Sequence, residues 1–294
     1  AGQGRAGQTV AIRRQRFGCG CAVHYQHSYH VGNFADVFKH VIVLALLQAL
    51  SRKAKPWCFV DTHAGAGLYA LDAGGDASGE WHEGIGRLWA ARPADAVLQA
   101  YLARVQRVAG SGTQPRHYPG STWLAAAVAR SGDRIIACET VGEVAAALRA
   151  AVPRAEVQQR DGYEMHALLP PPERRGLVLI DPPFERQDEF DAARAFITKA
   201  APRYAGGVFA LWYPLKNPHA ADHALRCLRR DSGQPLLDLR IDVGSRGDGR
   251  MHACGMAVLK PPYGFEAWAR QALPELASHL GAGAEVAVEG HMER

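Results

Sequence analysis

The stretch Gly176-Leu177-Val178-Leu179-Ile180-Asp181-Pro182-Pro183-Phe184 decides the fold. Its apolar run shows no polar alternation, so it reads as a strand covered on both faces, the pattern of a parallel sheet flanked by helices. Two prolines then end the ladder, because proline lacks an N–H and fixes φ. The acid therefore stands at the carboxyl end of a buried strand, where open α/β sheets keep their ligand crevice.

That acid and its neighbours suit one kind of chemistry. The N6 amine of adenine is a poor nucleophile, because its lone pair is delocalised into the ring. A carboxylate (Asp181) and a rigid backbone carbonyl (Pro182) accepting its two N–H groups would localise the lone pair towards an incoming methyl group. Phe184 offers an aromatic face for a base, worth about 1–3 kcal/mol. Asp181, Pro182 and Phe184 are the candidate catalytic residues. The plainer alternative is a proline-stiffened turn with Asp181 capping a helix.

Upstream, Trp57–Val60 reads as a buried strand running into Asp61-Thr-His63-Ala-Gly65-Ala-Gly67. Glycines let a backbone approach a ligand closely, and open amides could bind its polar groups. A dinucleotide site is disfavoured, since Ala70 stands where G-x-G-x-x-G needs its third glycine. The acid suited to a ribose diol is Glu139, closing the strand Arg134–Cys138. Asn33 is a helix N-cap, with Val37, Val41, Leu44, Leu47 and Leu50 as the core-facing stripe. Residues 85–109 are helical in period, and roughly 72–118 reads as a helical insertion between the first two strands. Downstream, helix 144–151, strand 155–158, a helix ended by Pro170–Pro172, helix 188–200, strand 208–213 and helix 220–230 continue the alternation. Strands 236–243 and 254–259 close it as an antiparallel edge.

Charge says less than the pI near 8.9 suggests. The net charge of +5 includes four arginines before residue 19, and without them the rest carries +1. Few phosphate contacts and a shallow salt dependence are expected of such a body. Arg226, Arg229 and Arg230 share helical spacing, and Arg240, Arg246 and Arg250 flank a Gly-rich loop; a solvated helix face and an ordinary hairpin explain them. Residues 1–21 read as a flexible basic leader with no signal-peptide core. The longest apolar run, Val41–Leu47, is too short to cross a bilayer. Six scattered cysteines fit a reducing, cytoplasmic compartment. No metal is expected, although His24, His27 and His30 form a short stripe, because no Cys or carboxylate completes a site.

Several motifs together carry a resemblance. Tyr25-Gln-His-Ser-Tyr-His-Val-Gly-Asn-Phe-Ala-Asp-Val-Phe-Lys39-His40, Asp61–Gly67, Tyr118-Pro-Gly-Ser121, Asp161-Gly162, Ile180–Phe184, Ala210-Leu-Trp-Tyr-Pro214 and Gly255–Val258 before Pro261-Pro262 occur in this order. Over residues 22–280 the chain resembles the bacterial 23S rRNA adenine-N6 methyltransferases of the large ribosomal subunit, some labelled as external-DNA catabolism proteins. The resemblance implies a Rossmann-like, class I S-adenosylmethionine methyltransferase domain over 22–294 with an inserted helical subdomain. A monomer with 23S rRNA as partner and no membrane is expected. Lys39, His40, His63, Gly65, Ser121, Glu139, Asp161, Gly162 and Asp181 would bind the cofactor. Within that set Lys39 would meet the methionine carboxylate, Glu139 the ribose and Asp161 the adenine amine. Tyr25 would contact RNA. Phe184 departs from the family, where Tyr is common, so stacking survives there and a phenol hydrogen bond does not. Rival readings are an adenine-N6 DNA methyltransferase, a protein Gln or Asn amide methyltransferase (usually headed by Asn), and a non-catalytic RNA-binding assembly factor on this scaffold.

Overall fold

The computed structural model describes residues 30–71, 79–110, 112–245, 247 and 249–291. Tyr25, His24, His27 and the leader 1–21 lie outside them. Helix α1 (Phe34–Ser51) starts at Asn33, whose side chain accepts from the amides of Ala35 and Asp36. Then come β1 (Cys58–Asp61), β2 (Leu68–Ala70), α2 (Ile85–Leu88), α3 (Ala96–Ala109), β3 (His117–Pro119) and α4 (Ser121–Val128). After them come β4 (Arg134–Cys138), α5 (Gly142–Ala151), β5 (Glu156–Gln158), β6 (Arg175–Ile180), α6 (Glu189–Arg203) and β7 (Gly206–Pro214). The chain closes with α7 (Pro218–Ser232), β8 (Leu236–Asp242), β9 (Ala253–Leu259), α8 (Phe265–Leu280) and β10 (Glu285–His291).

The main sheet runs β10-β8-β9-β7-β6-β1-β4-β5. Strands β5, β4, β1, β6 and β7 are parallel, and β9, β8 and β10 continue the sheet antiparallel. The chain leaves β1 towards β4 and β5, then returns to β6 and β7 on the other side. The winding therefore reverses between β1 and β6, which opens a crevice at their carboxyl ends. Alternate residues feed two cores, as the two-residue strand period requires. Phe59, Leu177 and Leu179 pack with α1, α3 and α8, whereas Val60, Val178 and Ile180 pack with α6 and α7.

Helix α1 differs from the one-sided helix its stripe predicts. It lies between the sheet and an outer layer of α3, α4 and α8, so only Gln48, Ala49 and Ser51 reach solvent. Its length and apolar composition would suit a bilayer, which the run Val41–Leu47 alone does not show, yet here it is a core helix. All-round hydrophobicity is what a helix buried on every side needs.

Among the described residues the insertion also departs from expectation. The expected helix 85–109 is broken, because Pro93 cannot continue α2 and the Asp95 carboxylate caps α3 through the Val97 and Leu98 amides. The far end of the expected helical insertion is not helix but strand β3, which pairs with β2. That pairing zips the two ends of the excursion and returns the chain to β1. The helix expected after Asp161 is a 3-10 turn, Gly162–Leu168. Helix α8 and strand β10 were not predicted. Pro274, a helix breaker by type, sits inside α8 and interrupts its pattern.

Candidate active site

One cavity of about 1020 Å³ lies over the carboxyl ends of β1, β4, β6 and β7. The loop after β1 supplies His63 and Gly65, the end of β4 supplies Glu139, and the turn after β6 supplies Asp181, Pro182 and Phe184. Lys39 and His40 enter from α1, Ser121 from α4, and Asp161 and Gly162 from the segment after β5. The cavity therefore gathers every candidate catalytic and cofactor residue; Tyr25, the candidate RNA contact, is not among the described residues.

The loop after β1 is closed by its own bonds. The His63 amide donates to Asp61 Oδ1 (3.4 Å), Ala64 to the Cys138 carbonyl (2.9 Å), Gly65 to Glu139 Oε2 (3.1 Å) and Ala66 to Tyr69 Oη (3.0 Å). The expected row of open amides is thus absent from 63–66, and the chain continues into β2, not into a helix. A phosphate finds neither free N–H groups nor a helix dipole there, which argues against a dinucleotide. A ligand without phosphate, such as S-adenosylmethionine, fits this loop. Gly65 (φ +63°) is required, because a Cβ would lie 2.0 Å from Tyr69 Oη. Gly162 is required too, since its Cβ would meet the Thr62 carbonyl at 2.1 Å.

Glu139 accepts from Gly65 with Oε2 and from the Val141 amide with Oε1 (2.9 Å). Thr140 Oγ1 also reaches Oε1, at 3.5 Å; of a carboxylate's roughly four acceptor positions one stays open and one is held only by this long contact. Asp161 caps the 3-10 turn through the Tyr163 amide and is exposed.

Beneath the loop, Asp61 is wholly buried and accepts from Ser121 Oγ (2.5 Å) and Thr122 Oγ1 (2.9 Å). Burial pushes its carboxyl up to about 6, with the two hydroxyls opposing that shift. His63 is pushed down to about 4 by burial. Its Nδ1 lies 2.8 Å from Thr62 Oγ1, whose own proton goes to the Leu179 carbonyl. Nδ1 therefore carries the proton and Nε2 is an acceptor. His40 meets Tyr118 Oη at 2.8 Å, and Tyr118 meets Tyr101, so α1 is tied to β3 and α3.

Lys39 does not stand as the free point charge that the resemblance implies. Its Nζ lies 2.5 Å from Asp181 Oδ2 and 2.7 Å from Asp36 Oδ1, and it is 4% exposed. Burial would depress the ammonium, but the two carboxylates hold it well above the usual lysine range. Only a third N–H remains for any other ligand. Asp181 Oδ1 has no hydrogen-bond partner among the described residues. Phe184 has φ +52°, uncommon for a bulky residue, and is braced edge-on by Phe190 (4.9 Å) and Trp212 (5.9 Å).

Sequence reasoning passed over Asp36, Thr122, Trp212 and Asp61 as a hub. Asp36 was visible as the i−3 partner of Lys39 on one helix face. The others meet the site only through the sheet order and the β2–β3 pairing.

A parallel sheet with an antiparallel edge, its crevice at the winding reversal and an Asp-Pro-Pro-Phe turn beside it define a Rossmann-like methyltransferase fold. The chain belongs to the family described as "Ribosomal RNA large subunit methyltransferase D, RlmJ", whose model matches residues 54–291. It is 37% identical to "Ribosomal RNA large subunit methyltransferase J" of Escherichia coli and 35% identical to the Haemophilus influenzae protein of that name. Each match covers 87% of this chain and 93% of the relative. Protein LPL1258 of Legionella pneumophila superposes with a TM-score of 0.82 at 30% identity, over 89% of this chain and 98% of that one.

Proposed function

We propose that the chain methylates the N6 amine of an adenosine in 23S rRNA, with S-adenosylmethionine as donor. The observation that carries this reading is Asp181: Oδ2 is held by Lys39, Oδ1 has no hydrogen-bond partner among the described residues, and the residue lines the cavity with Pro182 and Phe184. Bound S-adenosylmethionine supplies an electrophilic methyl on a sulfonium sulfur, a transfer that calls for no metal. Asp181 Oδ1 and the Pro182 carbonyl accept the two N–H groups of the amine, localise its lone pair, and Asp181 takes the proton the methylated amine must lose. Phe184 stacks on the flipped base. The gain comes from positioning and from electrostatic fit.

Glu139 would accept the ribose hydroxyls, and Asp161 the adenine amine of the donor. His40, His63, Gly65, Ser121 and Gly162 would shape its pocket, and Tyr25 would touch RNA. Lys39 acts chiefly through Asp181. The reading places the chain in the cytoplasm as a monomer whose partner is 23S rRNA. Cys58, Cys138 and Cys254, buried as unpaired thiols, support a reducing compartment.

The test is transfer of labelled methyl to 23S rRNA and to duplex DNA, with digestion to identify the modified nucleoside. N6-methyladenosine in rRNA alone is expected, with Asp181→Ala at least about a thousandfold slower and donor affinity largely kept. Label in DNA, in another base, or near wild-type turnover by Asp181→Ala would overturn the reading.

A further inference from the structure

Helix α7 carries a feature that the amine chemistry does not use. Its buried side is Ala221, Leu225 and Leu228, packed on the second core. Its outward side is His219, His223, Arg226 and Arg230, all exposed and spaced four, three and four residues apart, so that they form one stripe along the helix. From His219 to Arg230 the stripe runs roughly 17 Å at 1.5 Å per residue. It begins at the active site, because Lys216, just before the Asn217 cap, is exposed and lines the cavity with Asp181 and Phe184.

Acids near the stripe are already engaged. Asp222 accepts from Arg240 Nη2 (2.6 Å), and Asp231 accepts from Arg194 (2.6 Å) and from Arg230 Nε (2.9 Å). On α6, Asp191 pairs with Arg194, and just before that helix Asp188 pairs with Arg186. No acid lies on the stripe itself. Arg230 is the one stripe arginine already paired with an acid, so Lys216 and Arg226 are the cations this face offers to a partner, with His219 and His223 as polar donors between them.

We infer that Lys216 and the α7 stripe form a track for the sugar–phosphate backbone of the substrate RNA, leading a single strand to the cavity mouth. The inference rests on the proposed rRNA activity. Lys216 sits where the phosphates flanking a flipped nucleotide must pass, and Arg226 extends the contact along the strand. Such contacts set affinity and position and carry no base specificity.

The test uses the full chain, in-vitro-transcribed 23S rRNA and labelled S-adenosylmethionine. Lys216→Gln/Arg226→Gln should raise KM for rRNA about tenfold, with kcat within about twofold and donor affinity by calorimetry unchanged. The log–log salt slope of rRNA binding should fall by about 1.4, near 0.7 for each single-strand phosphate contact. Lys53→Gln/Lys55→Gln removes the same charge before β1, at the opposite end of the sheet, and should change neither. A KM and slope equal to wild type, or equal losses from both pairs, would overturn the track. Failure of wild-type protein to methylate 23S rRNA at all would overturn the parent reading and the track with it. Retained methylation with an unchanged slope would overturn the track alone.

Discussion

Lys39 holds Asp181 at 2.5 Å, joining the first turns of α1 to the end of β6 across 142 residues of chain. Asp36 flanks the same ammonium and is itself bonded to the Gly32 amide. One cation thus makes it feasible to keep two carboxylates in a largely dry place.

Lys39→Met should leave Asp36 and Asp181 without that cation and destabilise the fold by about 3–5 kcal/mol. Asp36→Asn/Lys39→Met should recover part of the loss, because one of the two charges is gone. Urea unfolding of the double-mutant cycle reads this directly. Strict additivity would show that Asp36 and Lys39 are not coupled.

Gly162→Ala places a Cβ 2.1 Å from the Thr62 carbonyl, a backbone atom that cannot swing aside. The 3-10 turn must shift, and Asp161 and His63 with it. We expect a loss of about 1–3 kcal/mol in stability and at least tenfold in donor affinity. Calorimetric titration with unchanged affinity would refute the close approach.

Phe184→Tyr should keep turnover within about threefold, since the ring face and its braces, Phe190 and Trp212, survive. Phe184→Gly relieves the φ of +52° but removes the platform. Lost packing on Phe190 and Trp212 outweighs that relief, so the melting temperature should fall while KM for rRNA increases by about ten- to a hundredfold, matching about 1–3 kcal/mol of lost stacking. A Gly variant with wild-type KM would exclude stacking.

His63 and Asp61 oppose each other with pH. The fold holds His63 near 4 against 6.5, so its contribution is present above about pH 6.5 and is lost as pH falls through about 4. Asp61 is held near 6 against 3.8, so its contribution is present below about pH 3.8 and is lost as pH rises through about 6. Between about pH 4 and 6 the two slopes nearly cancel. Relative to wild type, His63→Gln should gain stability as pH falls through that window, and Asp61→Asn should lose it, each by up to about 1.4 kcal/mol per pH unit. Denaturant titrations at pH 4.5, 5.5 and 6.5 that run parallel for all three proteins would contradict this.

What the sequence discloses is what one segment can encode. The apolar run before Asp181 fixes a buried strand, and the acids at 139 and 161 follow from strands ending where expected. The break between α2 and α3 is also local, written in Pro93 and Asp95, but the surrounding apolar period masks it. Asp61 is different: its value as a hub depends on Ser121, which β2–β3 pairing delivers from across the insertion. Lys39 reads as a free cation until the sheet order brings Asp181 to it. Helix α8 was hidden by Pro274 amid its apolar residues, and β10 pairs only with β8, already at the edge.

Helix α1 has a consequence for how the protein is made. Its residues leave the translating ribosome well before part of their cover, α8, which follows more than 200 residues later. Throughout synthesis an 18-residue apolar helix waits for a partner more than 200 residues downstream. A nascent chain halted before Phe265 would expose that helix to aggregation and to chaperones. A chain ending upstream of α8 therefore keeps the α3, α4 and sheet cover of that helix and loses only the α8 side.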